Sequence, residues 1–283
     1  MHTGRLRKFR PHLSLPTTTL PLCNFRRPSQ SMTTPIPRDV REFLDGYPDN
    51  EDDDSQNANL EFYQNKRRCQ PDNYLIDEIH NKWKGDYSKL EYKHGFIQWL
   101  FPIQEYGMNM QSQPLQPHEI AAMKSDPNVK SRVLKSYRLM LDFYGMNLDF
   151  SDTGLLSRVK PEVKQQERYR NLTRSSHNYL RISRILKCLA ELSLGHLNVG
   201  FLLHILNEQS EHNQLNNSTL RSSMDRWWAN CLRNEQEREW VGGMIRKVRT
   251  DEEFVFTREM YENALSRRQE TGSLRGEDAR ITL

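Results

Sequence analysis

The sequence predicts an all-α fold: a single compact multi-helix domain with a disordered N-terminal tail and a short C-terminal tail. Three observations predict it. From residue 58 onward, apolar residues recur at helical spacing between capping residues and glycine stops. Runs with the two-residue alternation of strands are nearly absent. A mean hydropathy of -0.86, with 28% charged and 36% hydrophobic residues, leaves too little apolar surface to order all 283 positions.

Residues 1–57 read as a disordered basic tail and an acidic linker. Arg5, Arg7, Lys8, Arg10, Arg26, Arg27 and Arg38 all precede the first acidic residue, Asp39. Pro11, Pro16, Pro21 and Pro28 would break an amphipathic targeting helix there. The acidic run at 49–54 repels itself and reads as a solvated spacer. Beyond residue 38 the chain carries 34 Lys and Arg against 37 Asp and Glu, so the alkaline isoelectric point belongs to the tail. A nucleic-acid partner is therefore not expected of the domain.

The first strong helix signal opens at Asp72 as N-cap, sets Leu75, Ile76, Ile79 and Trp83 on one face, and stops near Gly85. The next uses Asp126 as N-cap and Pro127 in the first turn, turns Val133, Tyr137, Met140, Leu141 and Tyr144 inward, and closes at Gly145. The strongest spans 176–194, with Ile182, Ile185, Leu186, Leu189 and Leu192 inward, Arg181, Arg184 and Lys187 mostly outward, and Gly195 behind. It is the expected centre of the core. From Ser218, one face collects Leu220, Met224, Trp227, Trp228 and Cys231. Further helices are expected near 117–123, 161–172, 199–211 and 235–248, and a charged one over 250–268 carries Phe254, Tyr261 and Leu265.

Several function classes lack their signatures. Cys23, Cys69, Cys188 and Cys231 form no C-x-x-C pair and read as reduced core thiols. His196, His204 and His212 recur every eight positions, which on a helix turns each side chain by about 80° from the last and argues against a shared metal. No phosphate loop, nucleophile elbow or metalloprotease motif occurs, so neither catalysis nor a cofactor is expected. The apolar runs at 96–103 and 199–206 are too short to span a bilayer.

The most informative stretch is 81–107, NKWKGDYSKLEYKHGFIQWLFPIQEYG, which sets Trp83, Phe96, Trp99 and Phe101 among polar residues. Such aromatics are chiefly core, while Gln98 among them must find hydrogen-bond partners inside the protein or on a ligand. Lys82, Lys84, Asp86, Glu91 and His94 read either as surface ion pairs or as contacts for a ligand's charged ends.

Phe62-Tyr63-Gln64-Asn65-Lys66, then NKWKGDYSKLEYKHGFIQWLFP from Asn81, then SHNYLRISRILKCLAEL from Ser176, together resemble the conserved domain of the opioid growth factor receptor family. The resemblance covers roughly 58–250 and leaves 251–283 as a C-terminal helix and tail. It implies a non-catalytic protein that binds an opioid peptide, methionine enkephalin, and restrains growth from the nucleus, the perinuclear membrane or the cytoplasm, with at most peripheral membrane association. The alternative is an intracellular helical scaffold for protein partners, or one associated with nucleic acid, without an opioid ligand. The family's vertebrate receptors carry long C-terminal extensions, whose functions are not expected of this shorter chain.

The resemblance transfers no ligand contacts, so the site follows from ligand chemistry. A peptide that begins with Tyr and ends with Met asks for aromatic walls, an acid near its amine and a base near its carboxylate. The expected walls are Trp83, Trp99 and Tyr106; the acid is Asp86 or Glu105; the base is Lys82, Lys84 or Arg181. His94 and Gln98 complete the candidate set.

Overall fold

Asp126 caps its helix as its sequence demands: the carboxylate accepts from the amides of Asn128 and Val129. Helix α7 (Pro127–Tyr144) follows, buries Val133, Tyr137, Met140, Leu141 and Tyr144, and ends at Gly145 in the left-handed conformation (φ 89°). The computed structural model describes Met1 and residues 35–276, and the basic tail expected before residue 35 lies otherwise outside the described residues. Among the described residues the chain is all-α, with thirteen α-helices and one short hairpin.

The N-terminal half of the domain comprises α1 (Arg38–Leu44), α2 (Ala58–Tyr63), α3 (Ile76–Lys82), α4 (Tyr87–Tyr92), α5 (Phe96–Leu100) and α6 (Pro117–Ser125) ahead of α7. Residues 38–57, expected as linker, are built in. Phe43 is buried in the core, and the acidic run serves the start of α6, where Asp52 accepts from the backbone amide of His118. A like charge in such a run is tolerated where it finds a donor elsewhere, as Asp52 does. Helix α3 opens at Leu75 rather than Asp72, because Glu78 reaches back to the Leu75 amide, and Asp72 instead pairs with Lys93 at 2.8 Å.

After α7 come the antiparallel strands β1 (Met146–Phe150) and β2 (Leu155–Arg158), paired Met146 to Arg158 and Leu148 to Leu156. Sequence alternation is hard to read over so few residues, and a bulge between Leu148 and Phe150 breaks it further. Then follow α8 (Glu162–Arg174), α9 (His177–Glu191), α10 (Gly195–Ser210), α11 (Ser218–Arg226), a 3-10 turn at Trp228–Cys231, α12 (Glu235–Thr250) and α13 (Arg258–Thr271). Helix α13 docks through buried Tyr261 and Leu265, and the Tyr261 hydroxyl accepts from the Leu156 amide at 2.8 Å.

The most deeply buried helix is α10, not α9. From Leu197 to Gln209 every residue of α10 is buried, as expected of a helix enclosed on all faces. The hairpin presses against it so closely that a Cβ on Gly200 would stand 1.9 Å from the Gly154 carbonyl oxygen. Helix α9 is amphipathic, yet its outward ridge is covered too: Arg181 and Lys187, expected to face water, are buried. Cys69, Cys188 and Cys231 are buried free thiols, and among the described residues no helix is long and apolar enough to cross a membrane.

Candidate functional site

The covering of α9 creates the site. Helix α4 ends against Arg181, whose guanidinium donates to the carbonyls of Leu90 (2.9 Å), Glu91 (3.2 Å) and Lys93 (2.7 Å), satisfying oxygens that the end of a helix leaves open. It also donates to His94 Nδ1 at 2.8 Å, which places the ring proton of a neutral His94 on Nε2. Burial pushes the Arg181 pKa down, and among the described residues no carboxylate forms an ion pair with it. His177 stands edge-on to His94 with ring centres 5.4 Å apart and holds Glu91 at 3.1 Å.

One turn on, Arg184 Nε donates to the Phe101 carbonyl at 2.8 Å, while its two terminal nitrogens make no hydrogen bond among the described residues. Burial pushes this guanidinium down to about 10, so it stays charged at neutral pH. Next along the same face, Lys187 lies between Asp39 (3.0 Å) and Glu105 (2.7 Å), and the Tyr47 hydroxyl donates to Glu105 at 2.6 Å. Two carboxylates thus share one ammonium.

Between α9 and the segment 97–108 runs a groove of about 570 Å³. Its walls are apolar: Ile97, Ile103, Tyr106, Met108, Leu180 and Trp227. Tyr106, Met108 and Leu180 are 79%, 95% and 75% exposed, unusual for side chains of this kind. Gln98 lies along it; its carbonyl accepts from the Asn109 amide and the Ser112 hydroxyl, and its amide nitrogen makes no hydrogen bond among the described residues. A Cβ on neighbouring Gly107 would stand 2.5 Å from the end of the Gln98 side chain, which would have to shift to admit it.

The Glu105 end opens beside a second cleft of about 650 Å³ lined by Glu42, Asp49, Glu51 and Asp53 and by no Lys, Arg or His. Of that cleft's carboxylates, Glu42 is paired with Arg38 at 2.7 Å, and the groove itself mixes signs along its length, with Glu91 beside His177 and Glu105 near Arg184. Nearby, Asp52, Asp54 and His118 bring ligand atoms together, but the Asp52 carboxylate is held by the His118 ring at 2.6 Å and by its backbone amide, so capping accounts for the cluster.

A family model of the opioid growth factor receptor conserved region matches residues 52–262. The chain belongs to that family. It is 39% identical over 203 residues to opioid growth factor receptor-like protein 1 of Rattus norvegicus, covering 71% of this chain and 42% of the relative. To the opioid growth factor receptor of Mus musculus it is 37% identical over 221 residues, covering 77% and 34%, and to that of Homo sapiens 39% over 173 residues, covering 60% and 25%. The chain thus matches under half the length of these relatives. No solved structure matches it.

Within this opioid growth factor receptor domain, the sequence-derived candidates divide. His94, Gln98, Glu105 and Arg181 line the groove together, with Tyr106 as a wall. Trp83 and Trp99 do not: Trp83 packs edge-on to Tyr74 and Phe96, and the Trp99 indole donates to the Gln70 carbonyl. Lys82 pairs with Glu78 at 2.9 Å, Asp86 caps α4 and pairs with Lys89, and Lys84 is exposed next to Gly85 and does not line the groove.

Leu180, Arg184, Lys187, Trp227 and Asp39 also line the groove, although their sequence pattern does not mark them as site residues. A basic ridge at 181, 184 and 187, flanked by a stranded Leu180, was the available signal; a solvated helix face looks the same in sequence.

Proposed function

We propose that this protein binds a short opioid peptide of the methionine enkephalin type in the groove along α9, without catalysing a reaction on it, and acts in growth regulation from inside the cell. The observation that carries it is the size and lining of the groove. From His177 to Lys187 the helix rises about 15 Å, the span of four to five extended peptide residues. Apolar walls with a few converging polar groups suit a ligand carrying large side chains and charged ends. The relatives' names as opioid growth factor receptors support the ligand class. A site at the nucleus, the perinuclear membrane or the cytoplasm accords with the family resemblance.

Trp227 lines the groove and supplies the test. Saturable change in tryptophan emission on titrating methionine enkephalin, with none for its all-D enantiomer, is the expected result; equal responses to both, or none, would refute the proposal. The exposed Met108 and Met110 favour a second reading, in which the same face receives a protein partner. Pull-down of a partner that competes with the peptide would separate the two.

A further inference from the structure

Granted the peptide-binding role proposed above, we infer that Gln98 is the residue that grips the peptide's backbone: its side-chain amide donates a hydrogen bond to a main-chain carbonyl of the ligand. The side chain is 5% exposed and lines the groove. Its orientation is fixed from behind, because the Asn109 backbone amide (2.8 Å) and the Ser112 hydroxyl (2.9 Å) both donate to one atom of it. Only the carbonyl oxygen can accept from a backbone N–H, so the NH2 is left on the other side. That nitrogen lies beside Gly107, itself a lining residue, and makes no hydrogen bond among the described residues. A donor so buried is costly to leave without an acceptor, and a ligand oxygen supplies one.

Neighbouring groups ask for the same kind of atom. Arg184 spends Nε on the Phe101 carbonyl, and its terminal nitrogens make no hydrogen bond among the described residues. A neutral His94 accepts from Arg181 at Nδ1 and so carries its proton on Nε2. This stretch of the groove offers donors and lacks oxygens. A neutral carbonyl suits it better than a carboxylate, since the Glu105 charge acts on Arg184 and Glu105 lines the same groove. A peptide carries such a carbonyl at every residue, whatever its side chains. Backbone recognition by Gln98 then leaves the ligand's large side chains to the apolar walls at Ile97, Ile103 and Leu180.

The test is calorimetric titration of the full chain with methionine enkephalin and with analogues in which each peptide carbonyl in turn is replaced by a thiocarbonyl, a weaker acceptor of nearly the same shape. One analogue should bind the native chain about 3- to 10-fold more weakly, the worth of one neutral hydrogen bond. Gln98→Glu keeps an oxygen for Asn109 and Ser112 and replaces only the NH2, so it should fold. It should bind the parent peptide about 10- to 100-fold more weakly, because an oxygen then faces the ligand's oxygen. Against that variant the penalty of the same thiocarbonyl should shrink to under about twofold.

If no thiocarbonyl analogue weakens binding, or Gln98→Glu binds the parent peptide as tightly as the native chain does, the role of Gln98 is overturned while peptide binding stands. If the parent peptide shows no saturable binding to the native chain, both proposals fall. Thermal melts establish that the variant is folded. Should Gln98→Glu not fold, nuclear magnetic resonance of the Gln98 side-chain amide in the native chain decides: a saturable downfield shift with the parent peptide, smaller with the weakened analogue, is expected, and no shift overturns the role.

Discussion

The Lys187 ammonium lies 2.7 Å from the Glu105 carboxylate, and the lysine side chain is only 3% exposed. Burial opposes its charge, but hydrogen bonds and the charges of Glu105 and Asp39 outweigh burial and raise its pKa. Through this one side chain, α1, the groove segment and α9 are held together.

Lys187→Met should therefore destabilise the domain by about 2 to 3 kcal/mol, less than the loss from a wholly buried pair because Glu105 and Asp39 keep some water. Urea denaturation measures it. A lysine whose folded pKa is raised contributes fully below the unfolded pKa and loses that contribution as pH climbs through the folded one. The difference between native and variant chains should accordingly narrow only in strong alkali.

Arg181→Gln should cost about 2 to 4 kcal/mol, because the Leu90, Glu91 and Lys93 carbonyls lose their donor in a buried place. Faster amide exchange confined to α4 and the start of α9 would show that the loss is local. Exchange unchanged in α4 would contradict the role assigned to Arg181.

Acid should destabilise the fold through His80 and His204. Burial holds both down to about 4, so between an ordinary 6.5 and 4 the unfolded chain takes up protons that the folded chain refuses. Stability then falls as pH drops through that window, by about 2 kcal/mol per histidine at pH 5. Denaturant midpoints at pH 7 and pH 5 measure the slope, and His204→Gln should flatten it.

Two glycine substitutions should have opposite signs. Gly200→Ala drives a methyl into the Gly154 carbonyl and should cost about 3 kcal/mol or more, since both partners are backbone in a packed interface. Gly195→Ala meets open space at the start of α10 and should stabilise by about 0.5 kcal/mol. Thermal melts of the two variants should bracket the native chain.

How far the sequence spoke depends on how far each interaction reaches. Asp126 with Pro127, Gly145, and the charged helix ending the domain were legible because caps and stops act within a few residues. Family membership was legible too, since long motifs keep their order whatever surrounds them. In the candidate site, His94, Gln98, Glu105 and Arg181 were recognised as polar residues with something to satisfy, but so were Lys82, Lys84 and Asp86, which are ordinary surface groups or caps.

By itself, then, the amino-acid sequence determined the helical class, most helix boundaries and the opioid growth factor receptor family. Tertiary structure alone decided which face of α9 is covered and where the groove lies. Arg181 and Lys187 read as a solvated ridge until the end of α4, Asp39 and Glu105 arrive from 82 to 148 positions away in the chain. Periodicity reports which side chains share a face; only the partners brought by folding determine whether that face meets water, a neighbouring helix or a ligand.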